Sequence, residues 1–123
     1  MKAIAWIVLS ASALTLAGCS KHLMGHAAER SGSERSAPEL MVQYGCPTCH
    51  VIPHVPGAVG QVGPSLAGVS QRSYIAGALP NTPENVVSWI MHPQHLRPGT
   101  AMPEMGVTEP DARRIQMFLE SER

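Results

Sequence analysis

Aromatic side chains are scarce in this 123-residue chain, which has one Phe, two Trp and two Tyr. Trp6 falls in an amino-terminal apolar stretch, so the remainder has still less ring mass from which to build a core. Lysine is absent beyond Lys21. From Pro38 to Arg123 five arginines (72, 97, 113, 114 and 123) stand against seven carboxylates, Glu39, Glu84, Glu104, Glu109, Asp111, Glu120 and Glu122, a net charge of −2. That stretch lacks the cationic face that a phosphate backbone demands, and nucleic acid is set aside as a partner. No apolar run reaches the about 20 residues of a spanning helix. No convincing alternation of apolar and polar residues marks a strand. With three cysteines, each already assignable below, no disulfide is left to hold the fold.

What is present begins with an export signal. Lys2 supplies a positive start, Ala3 to Leu16 are mostly apolar, and Leu16-Ala17-Gly18-Cys19 closes the stretch with small residues before a cysteine. The tetrapeptide resembles the bacterial lipobox. That resemblance implies that residues 1–18 are a signal peptide and that Cys19 takes a diacylglycerol thioether and becomes the new terminus beside Ser20. The product would be a membrane-anchored lipoprotein facing the periplasm or the cell exterior. More than one acyl chain matters, since a single chain holds a protein to a bilayer only marginally. Residues 19–37, rich in Ser, Gly, Ala and charge, read as a flexible tether. His22 and His26 lie in it at helical spacing but without a packed neighbourhood, and they read as solvated.

The chemistry concentrates in Cys46-Pro47-Thr48-Cys49-His50. Cys-x-x-Cys-His is the attachment signature for c-type haem. Two thiols at this spacing add to the two vinyl groups at the porphyrin edge, and one helical turn then carries His50 beneath the metal as proximal ligand. A structural zinc site would want two further ligands, and only His54, in an H-x3-H pair with His50, is near. A thioredoxin-like centre would need its first cysteine to open a helix. Residues 51–60 carry Pro53, Pro56, Gly57 and Gly60, which no ordinary helix continues through. The cysteines are thereby assigned, Cys19 to lipid and Cys46 with Cys49 to one haem c.

Pro38 to Arg123 has the length of one small domain. Domains of this size commonly need a staple, and a covalent haem would supply the missing apolar core. Three helices are predicted. Ser36-Ala37-Pro38-Glu39 is a capping-box start for a helix carrying Leu40, Met41 and Tyr44 up to Gly45. Thr82 caps and Pro83 opens a second, running through Val86, Val87, Trp89 and Ile90 until Pro93. Thr108-Glu109-Pro110-Asp111 opens a third, with Ala112, Ile115, Phe118 and Leu119 on one face. The expected fold class is all-α with long loops.

Four segments taken in order resemble a family. They are Tyr44-Gly45-Cys46-Pro47-Thr48-Cys49-His50, then Gly63-Pro64-Ser65-Leu66-Ala67-Gly68, then Leu79-Pro80-Asn81-Thr82-Pro83-Glu84-Asn85 with Trp89, and Pro98-Gly99-Thr100-Ala101-Met102-Pro103. From Ser36 onward the chain is similar to the bacterial monohaem class I cytochromes c. The resemblance implies a first helix crossing the last, a haem buried edge-on, and iron held by His50 and a methionine. It also implies that the Pro64 carbonyl faces the proximal imidazole, an orienting bond that raises ligand basicity. Leu66 belongs to the same Gly-Pro loop, and Arg72, Tyr74 and Trp89 are the candidates for the haem propionates. The family's glycine at the helix crossing is missing here. Ala37 or Pro38 stands at about that distance before Cys46, so a looser or shifted crossing is expected.

For the sixth ligand, Met102 lies in a loop whose prolines restrict the backbone without helical constraint. Met105 is its nearest competitor, followed by His95, His92 or an open site. Met41, Met91 and Met117 lie in helical patterns and read as core filler, and His54 reads as surface. His/Met ligation favours ferrous iron and fills both axial positions. The expectation is therefore a one-electron carrier rather than an enzyme. It would pass electrons from a dehydrogenase or quinol-oxidising complex to a terminal oxidase or reductase, docking through apolar contacts around the haem edge with modest salt dependence. The alternative is a haem-based sensor or peroxidase-like protein whose methionine is displaced by a small ligand.

Overall fold

The computed structural model describes residues 35–122. The expected signal segment, the lipidated Cys19, and His22 and His26 of the tether lie outside the described residues.

Helix α1 spans Ala37–Gln43. It starts where the sequence places it. The Glu39 carboxylate reaches back to accept from both the N–H and the hydroxyl of Ser36, each at 2.8 Å. A charged acceptor at this end satisfies donors that the helix itself leaves free. The chain then forms a tight turn at Cys46–Thr48 and a second at Val69–Gln71. Helix α2 spans Pro83–Met91, with the Thr82 hydroxyl accepting from Asn85 N–H at 3.3 Å. Helix α3 spans Pro93–Leu96, and α4 spans Glu109–Ser121. No helix among the described residues is long and apolar enough to cross a membrane.

The fold is mostly helical, with one addition that the sequence did not announce. Strands β1, Tyr74–Ile75, and β2, Leu79–Pro80, pair antiparallel with Tyr74 opposite Pro80 and Ile75 opposite Leu79. An isolated bridge joins Val51 to Val59. Strands of two residues are too short to alternate, which is why no periodic pattern betrays them. Their turn has positive φ at both central residues, Ala76 and Gly77, matching the twist of a hairpin.

α4 packs against both α1 and α2. Leu40 and Met41 from α1, Val87 and Ile90 from α2, and Ala112, Ile115 and Leu119 from α4 are buried together. Ala112 on α4 is fully buried. Next to it in sequence, the Asp111 carboxylate accepts from the Tyr44 hydroxyl at 2.7 Å and joins the two helices through side chains. Phe118 is only partly buried, and the polar Gln116 is buried on the same helix, donating to Glu120 at 2.8 Å.

Candidate cofactor site

The site grows out of the end of α1. Gly45 has φ +79°, a left-handed conformation that costs other residues about 1–2 kcal/mol. Its N–H closes the helix on Val42 O at 3.1 Å. The chain then winds once, with the N–H groups of Cys49 and His50 both bonding to Cys46 O, at 3.2 and 3.1 Å. This winding brings Cys46, Cys49 and His50 onto the wall of one cavity of about 640 Å³.

The following loop folds back over the turn. Gly60 N–H donates to Pro47 O at 3.2 Å, Gly63 N–H to Cys49 O at 2.7 Å, and Leu66 N–H to Val51 O at 2.8 Å. These bonds bring Pro64 to the histidine, whose Nδ1 lies 2.7 Å from Pro64 O. A carbonyl can only accept, so Nδ1 carries the proton and Nε2 of the neutral ring keeps its lone pair. Gly63 is required for another reason than flexibility. A Cβ there would fall on the imidazole ring itself.

Cys46, Cys49, His50, Pro64, Leu66, Arg72, Tyr74, Trp89 and Met102 all line this cavity, together with the competitor Met105 and the core methionine Met41. His54, His92 and His95 do not. His54 is exposed, with Nε2 3.3 Å from the Glu122 carboxylate, and His92 Nδ1 stands 4.0 Å from Glu104. The walls are mainly apolar, with Val69, Ile75, Ile90, Ile115 and Leu119 belonging at once to the cavity and to the core.

Burial pushes the Cys46 thiol above its ordinary pKa. A dithiol oxidoreductase needs the opposite shift, toward a thiolate. Among the described residues, no three His, Cys, Asp or Glu side chains converge as a metal cluster. What the cavity offers is one imidazole, thioethers and two thiols.

Three supporting residues, Arg97, Asn81 and Gln94, escaped the sequence reading, and Arg72 has a contact that it did not anticipate. Arg97 lines the cavity and donates from Nη1 to Ala76 O, tying the hairpin turn to the segment before Met102. Its nearness to Met102 in sequence was the one available signal. Arg72 donates to Ser65 O at 2.5 Å, bracing the Gly-Pro loop. Asn81 Nδ2 donates to Val69 O and Arg72 O, both at 2.8 Å, and so fixes the turn that leads to Arg72. Gln94, on α3, binds the backbone of the Met102 loop. Amides that bond to carbonyls leave no partner pattern in a sequence, so Asn81 and Gln94 were invisible there.

No family model matches the chain, and no solved structure matches it. The chain is similar to cytochrome c oxidase subunit 2 of Alkalihalophilus pseudofirmus, with 32% identity over 85 residues. The aligned stretch takes in 68% of this chain and 24% of that protein, so the chain spans about a quarter of the relative it matches.

Proposed function

We propose that this chain is a c-type cytochrome that carries single electrons in an extracytoplasmic respiratory chain, with one haem held by Cys46, Cys49, His50 and Met102. One observation carries the reading. Two cysteines three positions apart, an imidazole with its Nδ1 bonded to a carbonyl, and a methionine from a distant loop all face a single apolar cavity. The residues fit the group. The thiols match two vinyl substituents, Nε2 of His50 and the Met102 thioether would hold the iron with donors of the types that haem accepts, and the cavity-lining Arg72 and Arg97 would offset propionate charge. When bound, haem supplies a reversible one-electron couple. The chain's own residues orient the donors, exclude water with the α1, α2 and α4 side chains, and hold the proton of His50 on Nδ1.

Similarity to an oxidase subunit supports a place in electron transfer, with a terminal oxidase or reductase as acceptor and a dehydrogenase or quinol-oxidising complex as donor. The domain would adopt the class I cytochrome c fold and reach those partners on its tether, anchored through lipid on Cys19. With His50 and Met102 both serving as ligands, the haem iron would have no open position for a substrate, and the protein would be a carrier rather than an enzyme.

Expression in cells competent for cytochrome maturation tests this directly. The wild type should retain haem after denaturation, and Cys46→Ala with Cys49→Ala should not. The oxidised protein should show the methionine-to-iron charge-transfer band, lost in Met102→Ala and kept in Met105→Ala, and the reduced protein should not bind carbon monoxide. A colourless mature protein overturns the proposal. Rapid carbon monoxide binding would move it to the sensor or peroxidase-like class.

A further inference from the structure

We propose that Gln94 is the positioning residue that holds the Met102 loop in ligating geometry, an inference that rests on the cytochrome reading above. Its side chain is wholly committed to that loop. Nε2 donates to Thr100 O and to Met102 O, both at 2.7 Å, and Oε1 accepts from Gly99 N–H at 3.3 Å. The amide orientation is settled by its partners, because two carbonyls require the nitrogen and one N–H requires the oxygen. The backbone N–H of Gln94 donates in addition to Glu104 Oε1 at 3.0 Å. One residue thus grips the loop before, at and after the methionine.

Gln94 does not line the cavity, so it acts through the backbone of Met102 and not on anything held inside. Outside Gln94, the loop is tied by Arg97 to Ala76 O before the methionine. The backbone bonds include Thr100 N–H to Arg97 O at 3.1 Å, and Gly99 is in the left-handed region. A methionine has three rotatable bonds and a soft donor, and its hold on iron depends on how narrowly its backbone is placed. Loss of two such hydrogen bonds should weaken the effective ligation about tenfold.

The test compares Gln94→Ala and Gln94→Glu with wild type and Met102→Ala, all carrying haem, by two readouts. These are the charge-transfer band of the oxidised protein and the affinity of that protein for added imidazole. Gln94→Glu keeps the volume and replaces the two donors by an acceptor, so a space-filling role would leave it like wild type. Both Gln94 variants should bind imidazole about tenfold more tightly than wild type with a weakened band. In the Met102→Ala background a second change at Gln94→Ala should have no further effect on imidazole affinity, since the bond it protects is already gone. An equal effect in both backgrounds, or unchanged affinity and band in the single variants, overturns the assignment to Gln94 while leaving the haem reading intact. Wild type without haem, or a band that survives Met102→Ala, overturns the cytochrome reading or its ligand, and this inference with it.

Discussion

At the scale of single residues, His50 is the best-determined side chain of the site, held on one side by a carbonyl and on another by the bare Cα of Gly63. Gly63→Ala places a methyl group against the imidazole, and either the ring leaves Pro64 O or the 60–66 loop shifts. Overpacking of this kind costs about 1–3 kcal/mol. The holoprotein variant should therefore lose guanidinium midpoint with an unchanged m-value, and an unaltered midpoint would show that the ring moves freely. Much at this scale was legible beforehand. The Cys-x-x-Cys-His spacing anticipated that Cys46, Cys49 and His50 would share one wall, and the likeness to class I cytochromes c anticipated the approach of Pro64 to His50. The contacts of Gln94, Asn81 and Arg97 were not legible, because their side chains bond to backbone groups that carry no residue identity.

Among elements, the helix starts are set by short-range rules, and those rules held. Ser36 with Glu39, Thr82 with Pro83, and the Thr108-Glu109-Pro110 start each open a helix where the pattern places one. The Glu39 carboxyl is held below its ordinary value of 4.5, chiefly by the Ser36 N–H and then by the Ser36 hydroxyl. A carboxylate whose pKa falls on folding contributes stability above its unfolded pKa and loses that contribution as pH drops through the folded one. Glu39→Gln should accordingly be slightly less stable than wild type at neutral pH and equal to it once Glu39 is protonated. Paired thermal melts at neutral and strongly acidic pH check this, and a gap that persists in acid would refute it. The elements that escaped prediction are those too short for periodicity, the β1–β2 hairpin and α3. Pro93 reads correctly as a stop for α2, yet its fixed φ also suits a first helical position. The chain restarts there for one turn and brings Gln94 to the loop it binds.

For the whole molecule, the decisive quantity is the cavity, which runs through the core rather than beside it. An unfilled cleft of about 640 Å³ leaves the core side chains that line it without the packing partners a filled interior would give them. The haem-free polypeptide should be largely unfolded. Far-UV circular dichroism and amide dispersion in the Cys46→Ala, Cys49→Ala variant provide the measurement, and a cooperative, well-dispersed spectrum without haem would sink the expectation. The sequence hinted at this through its poverty in aromatic residues, which leaves too little bulk for a self-sufficient core. It could not show which aliphatic residues line the cavity, since the same Ile and Leu positions serve equally well in a filled interior.

The union of α1 with α4 also has a consequence for timing. Leu40 and Met41 are shielded by a helix that ends some eighty residues later, so a chain made amino end first cannot close this part of its interior until that helix has been synthesised.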